Sequence, residues 1–182
     1  MQCLVFILAT PAEYLEEEIQ KAIRPPFRCP HCNQARALRA LGYYQRYISH
    51  AIRQVLLIFV RRFRCVACGK TVSMLPAFAQ PYRVVRSETI NVFVVKTHRM
   101  ETVHWEETLR RYWRRFLKWL PELSRIIGSY YGLAPPITEP KAWWVFITHA
   151  CGGLEKATMN LTRIFSVTLF GKYRCHSAVA PL

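Results

Sequence analysis

The stretch Arg61-Arg-Phe-Arg-Cys-Val-Ala-Cys-Gly-Lys70, RRFRCVACGK, sets two cysteines three positions apart behind three arginines and ahead of a Gly-Lys step. A two-residue spacer lets both sulfurs of such a pair reach one ion from a tight turn. A second pair, Cys29-Pro-His-Cys32, supplies the other half of a tetrahedral site. Cys29, Cys32, Cys65 and Cys68 are therefore read as a four-cysteine site for one structural Zn2+, with each pair on a hairpin-like turn of a zinc ribbon. Four protein ligands leave no open position for a reacting water. Iron in a rubredoxin-like site is the competing metal, although rubredoxins are acidic. A redox role fits two knuckle-like pairs less well. His31, inside the first knuckle, is read as lying outside the ligand set.

Charge is the strongest global signal. Lysine and arginine number 26 against 11 acids, a formal net charge of +15. From Ile19 to Ser87 there is no acid, while 13 lysines and arginines occur. An excess so placed points to an anionic partner, nucleic acid before a membrane surface. All 11 acids are Glu. That weighs against two-metal nuclease and transposase cores, and against phosphoryl-transfer sites, which usually draw on Asp. The chain is expected not to be an enzyme. Its hydrophobic content of 52% suffices for a real core. The apolar run Cys3–Ala9 lacks a preceding basic region and is far too short to span a bilayer. The expected setting is a reducing cytoplasm, away from the membrane.

Outward from the knuckles, residues 2–9 read as a strand and Ala12–Ile23 as a helix opened near Pro11 and ended by Pro25-Pro26. Leu41–Ser49 and Arg53–Arg64 read as the ribbon's strands, and Pro76 and Pro81 mark an exit loop. Ser87 is placed to cap a helix running to about Thr97. Leu109–Leu120 carries an i, i+3, i+4, i+7 apolar stripe, with Pro121 as its interruption or end. Lys141–Cys151 and Leu154–Phe170 read as two helices split by Gly152-Gly153. The segments are expected to be a strand and helix over 1–26, the ribbon over 27–84, a helix-turn-helix-like segment over 85–127 and a helical extension over 128–182.

Two sets of cations are candidate nucleic-acid contacts: Arg36, Arg39, Arg46, Arg61, Arg62, Arg64 and Lys70 in the ribbon, and Arg110, Arg111, Arg114, Arg115 and Lys118 on the 109–120 helix. The guanidinium fork suits phosphate, and the interleaved Tyr43, Tyr44 and Tyr47 either stack on bases or pack the ribbon. His149, Cys151, Cys175 and His176 have metal-binding types without a metal-binding spacing. His104, Glu106 and Glu107 are read as helix-start charge.

The succession CPHC, LGYYQRY, VRRFRCVACGKT and SMLPAFAQPYRVV, followed by LRRYWRRF at 109–116, resembles a bacterial family of transposase-associated zinc-ribbon proteins. The resemblance covers about residues 27–120. It implies zinc on Cys29, Cys32, Cys65 and Cys68 and a helix-turn-helix that binds DNA. The combined expectation is an α+β protein that binds duplex DNA in a mobile-element setting without catalysis. Its alternatives are a protein-interaction subunit of a larger nucleoprotein complex and an RNA-binding ribbon.

Overall fold

In the computed structural model, the structure describes residues 1–16, 18–51, 54–95, 103–132, 138–172 and 175–177. The fold is α+β, a five-stranded sheet followed by a helical half. The two long strands β2 (Leu38–Ala51) and β3 (Gln54–Cys65) form an antiparallel hairpin, with register shifts at 40/42 and 49/51. Arg53, the expected start of the second strand, and Thr97, the expected end of the helix after Ser87, lie outside the described residues. β4 (Thr71–Pro76) returns antiparallel on β3. The expected exit loop follows over 77–86, with Pro76 closing the central strand β4.

β1 (Gln2–Val5) is shorter than the 2–9 expected and runs parallel to β4. A last strand, β5 (Cys175–Ser177), pairs parallel with β1, giving the order β2-β3-β4-β1-β5. The N-terminal segment thus extends the ribbon's own sheet. The Met1 amine donates to the Thr71 carbonyl at 3.0 Å. Cys3, Leu4, Tyr14 and Ile23 share one core with Ile58, Val60, Phe63, Val72 and Met74.

α1 (Pro11–Glu16) opens with a capping box: the Glu13 amide donates to Thr10 Oγ1, and Glu13 Oε2 accepts from the Thr10 amide. The helix does not run to Ile23. Glu18 is left-handed at φ 49°, and only a 3-10 turn, Ile19–Lys21, follows. The acids Glu16 and Glu18 stand beyond the first turn, where the helix dipole opposes them.

The second core belongs to the helices α2 (Ser87–Val95), α3 (Glu106–Tyr131), α4 (Pro140–Ala150) and α5 (Leu154–Phe165). Ser87 does not act as a simple cap. Its buried hydroxyl sits among the Ala77 and Phe78 carbonyls and the Gln80 amide. Pro121 does not end α3. The apolar stripe continues through buried Leu120, Leu123 and Ile127, and their packing outweighs the lost backbone hydrogen bond. Trp144 anchors this core, its ring edge-on to Phe116 at 5.2 Å and its indole N–H donating to Asn91 Oδ1.

Among the described residues no separate helix lies between α2 and α3. Residues 103–105 form a 3-10 turn leading straight into α3, so a helix-turn-helix is not formed by what is described. The two cores are joined through 80–86. The buried Gln80 amide pairs with the hydroxyls of Ser87 and Thr158, and the Ser49 amide donates to the Val84 carbonyl.

Candidate metal centre and cationic surfaces

The two knuckles have the same backbone design. The Cys29 amide donates to the Gln34 carbonyl and the Asn33 amide to the Cys29 carbonyl; likewise the Cys65 amide donates to Lys70 and the Gly69 amide to Cys65. Asn33 at φ 61° and Gly69 at φ 69° occupy the matching left-handed position that closes each turn. The hairpin and β4 hold the second knuckle, and the register Leu38↔Cys65 brings the first one beside it.

All four sulfurs lie within 4.8 Å of one another. Cys29 and Cys68 are 3.9 Å apart, and Cys32 and Cys65 are 3.7 Å apart. A tetrahedron with metal–sulfur bonds of about 2.3 Å has edges of about 3.8 Å, so the sulfurs are set for one ion such as zinc. The amide of Cys68, aided by that of Ala67, holds the Cys65 thiol down to about 7. At Cys32 the Gln34 amide pulls the same way, but desolvation and the other three sulfurs push the thiol up to about 12. Four crowded thiols cannot all ionise alone, and a bound dication removes that conflict. His31 is exposed and stands outside the sulfur cluster, although its amide donates to Cys29 Sγ at 3.4 Å. His149 and Cys151 lie at the end of α4 and join no metal-binding group among the described residues.

The ribbon's arginines divide into two kinds. Arg46 and Arg61 are held within the fold. Arg46, half-buried, donates through Nη2 to the Gln80 and Arg83 carbonyls, and burial pulls its pKa down. Arg61 donates to the Lys21 carbonyl at 2.7 Å and to the Tyr43 hydroxyl at 2.8 Å. Arg36 lies over the Phe27 ring, and its carbonyl accepts from Arg39 Nη1.

Arg39, Arg62 and Arg64 form a different group. Arg39 pairs directly opposite Arg64, and Arg64 opposite Thr71; Arg62 stands two residues along β3, opposite Ser73. Strand alternation puts the three guanidinium groups on one face at the knuckle end of the sheet. Like charges directly across a strand pair repel. Burial, and then the charge of Arg62, lower the pKa of the Met1 amine close by. Lys70 is exposed just past the second knuckle.

On α3, Arg110, Arg111, Arg114, Arg115 and Lys118 are all exposed. Arg110 is paired with Glu106 at 2.8 Å, so this part of the His104, Glu106 and Glu107 group serves as helix-start charge. Arg111, Arg114, Arg115 and Lys118 instead line an open groove of about 1040 Å³ against Tyr82, Val84 and Thr108, with no carboxylate among its lining. The far wall is built by Arg83, which the sequence reading left without a role. Its guanidinium is buried 5.1 Å from both the Tyr112 and Phe170 rings, and the Val84 amide donates to the Tyr112 hydroxyl. Tyr82, at φ 58°, is thereby turned outward. Its sequence context, a proline followed by aromatic and basic residues, carried no sign of that turn.

Residues 29–112 match a family described as a domain of unknown function (DUF6431). No curated protein and no solved structure matches the chain.

Proposed function

We propose that this protein is a zinc-ribbon nucleic-acid-binding protein that grips duplex DNA by its phosphates and carries out no catalysis of its own. The groove between α3 and residues 82–84 carries the reading: four cations of α3 line it and no acid does. Guanidinium forks suit phosphate oxygens, and such a groove tracks a backbone without reading sequence. The Arg39, Arg62 and Arg64 face adds a second anionic contact, whose mutual repulsion an incoming phosphate relieves. Cys29, Cys32, Cys65 and Cys68 would hold one zinc ion, which supplies a structural cross-link between the two knuckles. The thiolates position the hairpin, and with it the arginine face. The mobile-element setting rests on the sequence resemblance alone.

The test is binding of the zinc-loaded chain to labelled duplex DNA and duplex RNA over a salt series. The expected result is duplex-DNA affinity that falls steeply with salt, since each neutralised phosphate contributes about −0.9 to the slope of log K against log salt. Negligible affinity for duplex DNA at low salt would overturn the reading.

A further inference from the structure

Beyond the Ile19–Lys21 turn, which meets Arg61, one face of the hairpin carries exposed rings. On β2 and β3 the register pairs Tyr43 with Arg61, Gln45 with Phe59 and Tyr47 with Leu57. Cross-strand partners share a face, so Tyr43, Phe59 and Tyr47 form a zigzag row of rings on one side of the sheet. Their alternates, Ile48, Ile58 and Val60, are buried in the first core on the other side. The three rings remain 43%, 38% and 62% exposed. β2 is an edge strand of the sheet, met just beyond the row by the Val84 carbonyl at the Ser49 amide. The Tyr47 hydroxyl has no hydrogen bond among the described residues, whereas Tyr43 is held by Arg61, whose guanidinium lies 5.4 Å from the ring centre. An ordered ring row without a covering element is costly to leave in water, and it asks for a ligand.

We propose that this row is a stacking platform for an unpaired nucleic-acid strand, a site separate from the duplex-binding groove. Three observations select that occupant. The rings belong to an acid-free stretch in which 13 cations occur, so the ligand is anionic. Diagonal cross-strand neighbours stand about 7–8 Å apart, about twice the 3.4 Å rise of a stacked strand. The platform therefore suits bases held apart on separate rings, which an unpaired strand can offer and a duplex cannot. A second copy of the chain is disfavoured, because it would bring together two molecules that each carry a net charge of +15. Arg61 thus has two roles here: it fixes the Tyr43 ring and places charge where the strand's phosphates pass.

The experiment uses the zinc-loaded full chain with labelled oligothymidylate and oligouridylate, and compares wild type with Tyr47→Ala, Phe59→Ala and Tyr47→Trp. Both oligomers should bind, because the rings meet base faces and not the sugar. Each alanine variant should weaken binding roughly five- to hundredfold, and Tyr47→Trp should restore it. Zinc content and circular dichroism should not change, since Tyr47 is an exposed side chain. Duplex-DNA binding should be unaffected by Tyr47→Ala and weakened by Arg111→Ala, so that failure of the groove and failure of the platform are read separately. Equal oligomer binding by wild type and both alanine variants would overturn the proposal. So would a wild-type dimer that Tyr47→Ala converts to monomer without any oligomer binding.

Discussion

At the scale of single residues, the metal centre depends on a feature outside the cysteines themselves. Each knuckle closes through a left-handed residue, glycine in one and Asn33 in the other. Asparagine tolerates that conformation, while a β-branched residue does not. Asn33→Val should therefore cost about 1–2 kcal/mol and loosen zinc retention, whereas Asn33→Gly should stay within about 0.5 kcal/mol of wild type. Urea unfolding with parallel metal analysis checks both. The ligand set was legible in the sequence because CxxC spacing is local chemistry. The fates of the arginines were not. Arg61 and Arg62 are adjacent, yet one is bonded to Lys21 and Tyr43 while the other joins the open arginine face. Strand alternation gives their opposite directions, but only tertiary packing decides which direction is covered.

At the scale of elements, α3 carries the predicted apolar stripe but runs ten residues past Pro121, to Tyr131. Pro121 is a stop signal within an isolated helix. Here Leu123 and Ile127 carry the helix on into a core shared with α4 and α5, elements that follow later in the chain. A proline inside a helix costs up to about 3 kcal/mol relative to alanine. Pro121→Ala should therefore raise stability, by an amount at or below that figure, as measured by urea unfolding. A loss of stability would show that the packing of α3 requires the proline. The hairpin, α2, α4 and the start of α5 were legible from periodicity and from Gly152-Gly153, but α5 stops at Phe165, where Ser166 is left-handed, and not at Phe170. The places of β1 and β5 were not, because their parallel partners are remote in sequence and no local signal names them.

At the scale of the whole molecule, charge and architecture are segregated together. Glu13, Glu88 and Glu155 line a separate cleft beside Phe6 and Leu8, where Arg86 pairs with Glu88 at 3.0 Å. Burial raises the pKa of Glu155, with the charge of Glu88 adding to it. The metal knuckles, the arginine face and the ring row belong to the sheet, while the cationic groove forms where the helical half meets the 80–86 joint. The sequence showed the excess of positive charge but not that it converges on a groove, because Arg83 and Tyr112 create that groove from distant stretches. The salt dependence of duplex-DNA binding, compared between wild type and the Arg111→Ala/Arg114→Ala double variant, tests the groove most directly. If the groove grips phosphates, the slope of log K against log salt should become shallower by about two in the variant. An unchanged slope would contradict the account, because the cations lining the groove would then take no part in binding.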